Sequence, residues 1–231
     1  VVQTVTPRNL LRDKMLDYLG NNLNRDENIV IIADSLNGDI ENRLTSIFPN
    51  ATKIKPEFEG YILPELLDSL LVDTLPNKVI VESEIFTLIS SVISQLNSQI
   101  TSKRDVRLYT TYRGNQYDDP SINVKDLGNL RFTYASISRK INNDSITDFE
   151  SNYINFFGSF PNKDIVRGYD VTKDVILRKL LDNNLNRTVK YDEQTYNESK
   201  FLYKKDTLGG LFNSSIFLLK HVDYSIEEIN E

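Results

Sequence analysis

The sequence predicts a doubly wound α/β fold with a mostly parallel sheet and an irregular, β-containing C-terminal tail. Three observations lead there. Short apolar runs recur, most clearly Asn28 to Ala33 (NIVIIA) and Lys78 to Val81 (KVIV), the pattern of strands buried on both faces. Stretches with helical apolar spacing separate the runs. Four such strands with intervening helices call for right-handed βαβ crossovers, and therefore for a parallel sheet.

The elements follow in order. Arg8 to Gly20 reads as a helix with Leu10, Leu11, Met15, Leu16 and Leu19 on one face and Gly20 as the stop. After the strand Asn28 to Ala33, a helix over Leu36 to Phe48 ends before Pro49, and a short strand follows at Thr52 to Ile54. Pro64 opens a helix reaching Val72. Beyond the strand Lys78 to Val81, Ser83 is the expected N-cap of a long helix, Ile85 to Ile100. Asp105 to Thr110 (DVRLYT) is the fourth strand. Gly114 to Asn129 reads as loop, Arg131 to Ser136 as strand, and Ser145 to Phe157 as a helix stopped by Gly158. Asp164 to Asp182 is a further helix, whose apolar positions include Val166, Tyr169, Val175, Ile176, Leu177 and Leu180. Gly209-Gly210 forms a turn before the strand Ser215 to Leu219, and Val222 to Ile226 completes a hairpin or edge pair. The expected division is an α/β lobe of βαβ repeats over 1–136, then a partial second lobe with hinge helices and C-terminal strands over 137–231.

Composition narrows the function. The 231 residues carry a net charge of −6, which disfavours nucleic acid and anionic membrane surfaces, since both recruit basic faces. With no Cys, there are no disulfides, thiol nucleophiles or Cys-based zinc sites. No run is long and apolar enough to span a bilayer. The chain opens Val1-Val2-Gln3 without Met or signal peptide, so it is read as a processed or excised product, and a missing leader is no cytoplasmic address. Asn-x-Ser/Thr sequons at Asn50, Asn143, Asn186, Asn197 and Asn213 are expected by chance in an Asn-rich chain.

Three stretches together resemble the later portion of type 1 periplasmic-binding proteins, the branched-chain amino acid receptor group. They are NIVIIADSLNG (Asn28–Gly38), with Asp34…Asn37-Gly38 in the turn after the strand; KVIVESEIFTLISSVISQL (Lys78–Leu96); and Phe149, Tyr153, Pro161 and Gly168-Tyr169-Asp170 in the segment Phe149–Leu180. The resemblance covers Leu10 to Leu181 and is closest to divergent Bacteroidota-type envelope members, often joined to LysM peptidoglycan-binding modules. It implies a non-catalytic solute-binding or receptor-like protein of the periplasm or cell envelope. Its ligands would be amino acids, small peptides or peptidoglycan fragments, held by lobe closure about a hinge. Gly168-Tyr169-Asp170 would pack and open a helix. Two departures stand out. No counterpart of the family's first βαβ run, which supplies the Ser/Thr gripping the ligand carboxylate, precedes Arg8. Asn37 stands where an aromatic is common.

Ligands of open parallel sheets sit at the carboxyl ends of the strands. The candidate ligand residues there are Asp34, Ser35, Ser83, Glu84, Thr110 and Tyr112. The carboxylates suit an ammonium group, and the hydroxyls and Tyr112 a polar or stacking ligand. Asp34, Ser35 and Ser83 are equally favoured as helix caps for backbone reasons alone. His221, the only His, lies in the tail and reads as a surface or edge-strand residue rather than part of a triad. Tyr117-Asp118-Asp119 lacks the spacing of a calcium loop, so no metal is expected. There is no phosphate-cradling Gly motif, and Glu82 and Glu84 are too close in sequence to flank a glycosidic bond. The expectation is therefore no enzyme and no cofactor. The alternative is a structural or interaction scaffold with a degenerate binding-protein fold, working as a homodimer or through an envelope protein partner.

Overall fold

Short apolar runs and amphipathic stretches alternate in space as they do in sequence. The computed structural model describes residues 1–24, 26–56, 60–139, 146–207 and 209–229. The elements are β1 (Val2–Gln3), α1 (Arg8–Asn22), β2 (Asn28–Ala33), α2 (Gly38–Ile47), β3 (Thr52–Ile54), α3 (Pro64–Leu70), β4 (Asn77–Glu82), α4 (Phe86–Ser98), β5 (Val106–Thr110), α5 (Val124–Asn129) and β6 (Thr133–Ser136). They continue with α6 (Asp148–Phe157), α7 (Lys163–Leu181), β7 (Gln194–Thr195), β8 (Lys200–Phe201), β9 (Tyr203–Lys205), β10 (Leu211–Asn213), β11 (Phe217–Val222) and β12 (Ser225–Glu228). Two compact units result: Leu11–Ser136 with Leu218–Glu231, and Val1–Leu10 with Ile137–Phe217.

The first of these units carries a seven-stranded sheet in the order β12-β11-β6-β5-β4-β2-β3. Strands β3, β2, β4, β5 and β6 are parallel, as the crossovers predict. Their winding reverses between β2 and β4, so the topological switch point lies there. All six residues of β4 are buried, because helices cover both faces of a doubly wound sheet. Met15 and Leu19 of α1, Leu44 of α2, and Leu88, Val92 and Leu96 of α4 complete this core.

A buried amide fixes the amino-terminal end of β4. The Asn77 side chain accepts the Val72 N–H and donates to the Val72 and Asp105 carbonyls, at 2.8 and 3.0 Å. The stretch expected as loop, Gly114 to Asn129, instead holds a 3-10 turn at Asn115–Asp118 and the short helix α5, capped by Asn123. Six residues give too little periodicity to stand out in sequence. Gly128 in α5 lies so close to the β11–β12 turn that a Cβ there would meet the Asp223 carbonyl oxygen at 1.9 Å. The tail forms an antiparallel hairpin, β11 with β12.

The other unit builds a three-stranded sheet, β1-β10-β9, and the pair β7-β8. Phe201, Tyr203 and Leu211 form its core, with Val171, Leu185 and Val189 packed against them. Helix α6 opens with a complete capping box, Thr147 with Glu150, and ends at Gly158 with φ 71°. The expected helix start at Ser145 and the sequon at Asn143 lie outside the described residues.

Helix α7 departs most from expectation. Of its apolar positions only Val166 is fully buried, and the stripe beside it is polar: Asp170, Asp174 and Arg178. Two buried carboxylates and a guanidinium, spaced four apart, outcompete the apolar face for the interior. They do so because every charge finds partners. Asp170 Oδ1 accepts the Asn197 N–H and Nδ2, and Oδ2 accepts the Glu198 and Ser199 N–H groups. Arg178 Nε donates to Asp174 at 2.9 Å, and its other nitrogens donate to the Thr188 and Phe201 carbonyls. Gly168-Tyr169-Asp170 therefore does not open a helix; α7 opens at Lys163 on the Asn162 cap.

Candidate functional site

The sheet register sets Ala33 beside Glu82, so the carboxyl ends of β2 and β4 finish level at the switch point. In this topology a ligand enters the crevice between those two ends. Here the crevice is bridged by the chain itself. The Asp34 N–H donates to the Glu82 carbonyl at 3.2 Å, and Ser83 Oγ donates to Asp34 Oδ2 at 2.7 Å. Asp34 Oδ1 accepts the Leu36 N–H and Asn37 Nδ2, both at 2.9 Å. Both carboxylate oxygens of Asp34 are thus taken up internally.

Asp34 caps the turn that follows it, as expected for that residue type. Ser83 is not the N-cap of α4, which begins at Phe86 with Ile85 before it. Ser83 Oγ nonetheless accepts the Ile85 N–H at 3.0 Å, so it holds the turn two residues ahead of the helix.

A second buried carboxyl, Glu82, lies beside this bridge. Thr111 donates both its N–H and its hydroxyl to Glu82, the latter at 2.7 Å. Thr110 Oγ1 lies 3.4 Å from Glu82 and 3.2 Å from the Tyr112 carbonyl oxygen. Arg12, from α1, reaches to 3.9 Å of Glu82 and donates to Asn37 Oδ1 at 2.7 Å. Burial raises the Glu82 carboxyl to about 7, against the opposing effects of Thr111, Arg12 and Thr110.

The six sequence candidates therefore separate. Asp34, Ser83 and Thr110 converge, each buried and bonded within the chain. Ser35 and Glu84 are exposed, and Tyr112 is half-buried. Sequence reasoning missed Arg12, Glu82 and Thr111 as members of one network. Asn37 was visible as a departure from the binding-protein pattern, and that amide now joins Arg12 to Asp34.

His221 is neither a surface nor an edge residue. It sits on β11, one strand in from the edge, against the rings of Phe132 and Tyr134 at 5.7 and 5.8 Å. Neither ring nitrogen has a hydrogen-bond partner among the described residues. Burial, with the Arg113 charge, lowers it to about 4. Tyr109, Tyr117 and Tyr134 are core residues, whereas Tyr169 is 40% exposed. No cluster of His, Asp or Glu suited to a metal occurs among the described residues. None of the described helices is long and apolar enough to cross a membrane.

No family model matches the sequence. No curated protein matches it either. Among solved structures the chain is similar to full-length LpoA from Haemophilus influenzae, with a TM-score of 0.50 and 11% identity, over 97% of this chain and 39% of that one. The chain thus spans well under half the length of that protein, and at this identity the two share an α/β fold.

Proposed function

We propose that this chain is a non-catalytic interaction module of a cell-envelope protein, in which the binding-protein fold is kept and the ligand position is filled by the chain's own side chains. One observation carries the reading. Asp34, Ser83, Asn37, Arg12, Glu82 and Thr111 close the crevice at the switch point with hydrogen bonds to one another. An arriving ammonium or carboxylate would have to displace bonds that are already made, and it would leave their partners unpaired at about 1–3 kcal/mol each.

The envelope setting rests on the resemblance of Asn28–Gly38, Lys78–Leu96 and Phe149–Leu180 to divergent binding-protein-like envelope members. LysM modules elsewhere in the same gene product belong to that proposal. The non-catalytic part is supported by His221, which is packed against aromatic rings rather than against a nucleophile.

A second reading, a true solute receptor for amino acids, small peptides or peptidoglycan fragments, draws on Ser35, Glu84 and Tyr112, which leave a polar rim at the same sheet end. A thermal-shift screen with these three ligand classes separates the two. Ligand at one hundred times Kd adds about 2.7 kcal/mol, a rise of several degrees for a chain of this size. The interaction reading expects no shift with any class. A reproducible shift for one class, lost in Glu84→Ala and Tyr112→Ala, would establish the receptor.

A further inference from the structure

Because its buried stripe is polar, α7 turns its apolar residues outward. Phe149 of α6 stacks on Tyr169 of α7 at 4.2 Å, Tyr153 lies next along α6, and Phe157 follows at 4.5 Å. From Tyr169, Ile176 and Leu180 continue at i+7 and i+11, so they share one line along the helix. The apolar residues from Phe157 to Leu180 therefore follow one line within one unit, interrupted between Tyr169 and Ile176 by the exposed Thr172 and Lys173.

The ridge cannot be relieved by rolling the helix, because that would pull Asp170 from four N–H donors and Arg178 from Asp174. Its two ends are bare. Phe156, Phe157 and Phe160 are 82%, 68% and 65% exposed at one end; Ile176, Leu180 and Leu181 are 54%, 78% and 65% exposed at the other. At roughly 200 Å² for each fully exposed large side chain, these six present about 800 Å². Each end is as large as the largest apolar patch usual on a monomer, and together they match the roughly 800 Å² that each partner contributes to a standard interface.

We infer that the α6–α7 ridge is the contact between two copies of this chain, related by a two-fold axis that lays the aromatic end of one ridge against the aliphatic end of the other. A self-complementary patch of this area closes as a dimer, whereas a heterologous contact would leave a patch free and build a fibre. The inference deepens the interaction reading above and rests on it for the role of the contact. The ligand screen tests that reading separately.

Sedimentation velocity of the whole chain, from about 1 to about 100 µM, covers the affinities expected of an interface this size. The expected result is a species of twice the chain mass. Leu180→Lys and Phe157→Lys each return it to monomer with unchanged circular dichroism, because both positions face solvent in a single copy. The chain has no Cys, so mixing Phe157→Cys with Leu180→Cys under mild oxidation yields more cross-linked dimer than either variant alone. A chain that stays monomeric throughout, or a dimer that survives both Lys variants, overturns the inference. So does equal cross-linking in the three samples. A monomer with a flat ligand response would refute the dimer alone and leave the interaction reading intact.

Discussion

Replacing Asp170 by Asn tests the orientation of α7. Oδ1 of Asp170 accepts from Asn197 N and Nδ2, and Oδ2 accepts from Glu198 and Ser199 N–H. An amide has one oxygen, so one pair of donors would face an NH2 group instead. Two unpaired donors at about 1–3 kcal/mol each give a loss of roughly 2–6 kcal/mol. Arg178→Met should cost about 3–5 kcal/mol, since it strands the Asp174 carboxylate in the interior and also removes donors from the Thr188 and Phe201 carbonyls. Leu180→Lys, on the exposed side, should stay within about 0.5 kcal/mol when measured on dilute, monomeric protein. Scanning calorimetry reads the difference directly. At about 2–4 °C per kcal/mol for this chain length, the two polar variants should melt about 10 °C lower and Leu180→Lys should match the parent. The opposite ranking, a costly Leu180→Lys and a silent Asp170→Asn, would mean that the helix buries its apolar side and would refute the argument.

Other outcomes follow from the larger unit. The Glu82 carboxyl is raised from its ordinary 4.5 to about 7, so the native state keeps a proton that the unfolded chain releases, and stability falls by about 3 kcal/mol as pH rises through that window. His221 is lowered from 6.5 to about 4, so its contribution rises with pH over nearly the same interval. Between pH 4.5 and 6.5 the two act in opposite directions; by urea unfolding, His221→Phe should make stability fall more with rising pH than in the parent and Glu82→Gln should make it fall less or rise, and variants that leave the parent slope unchanged would contradict the assignment. Asn77→Ala should cost about 2–4 kcal/mol by chemical denaturation, because it unpairs the Val72 N–H and two carbonyls inside the chain. Gly128→Ala should displace the β11–β12 hairpin, seen as faster amide exchange at Leu219–Val222, since the added carbon meets backbone rather than a yielding side chain.

Much of the sheet was legible in sequence. Strand β2 matches its expected bounds, and β4 extends its run by one residue at each end, because strands covered on both faces leave long apolar runs. The facing of α7 was not legible in the same way. Apolar spacing tells which residues share a side of a helix, but not which side turns inward. Asp170, Asp174 and Arg178 were as regularly spaced as the apolar set, and that polar stripe was the available signal. At the switch point, the strand-end rule located Asp34, Ser83 and Thr110. It could not reveal that Arg12 arrives from a helix some seventy residues before Glu82, or that the hydroxyls bond the chain's own carboxylates. Such pairings depend on tertiary register, which local pattern does not encode.

The central claim is that the switch-point network is structural. Urea unfolding of Asp34→Ala and Ser83→Ala tests it most directly. Asp34→Ala removes a cap and strands Asn37 and Ser83, so the expected loss is about 2–4 kcal/mol. Ser83→Ala leaves Asp34 Oδ2 and the Ile85 N–H without their partner, for a loss of about 1–3 kcal/mol. A ligand site is held at some cost to stability, so removing its residues leaves the fold unchanged or firmer. Unchanged or increased stability in both variants would contradict the claim and return the crevice to a binding role.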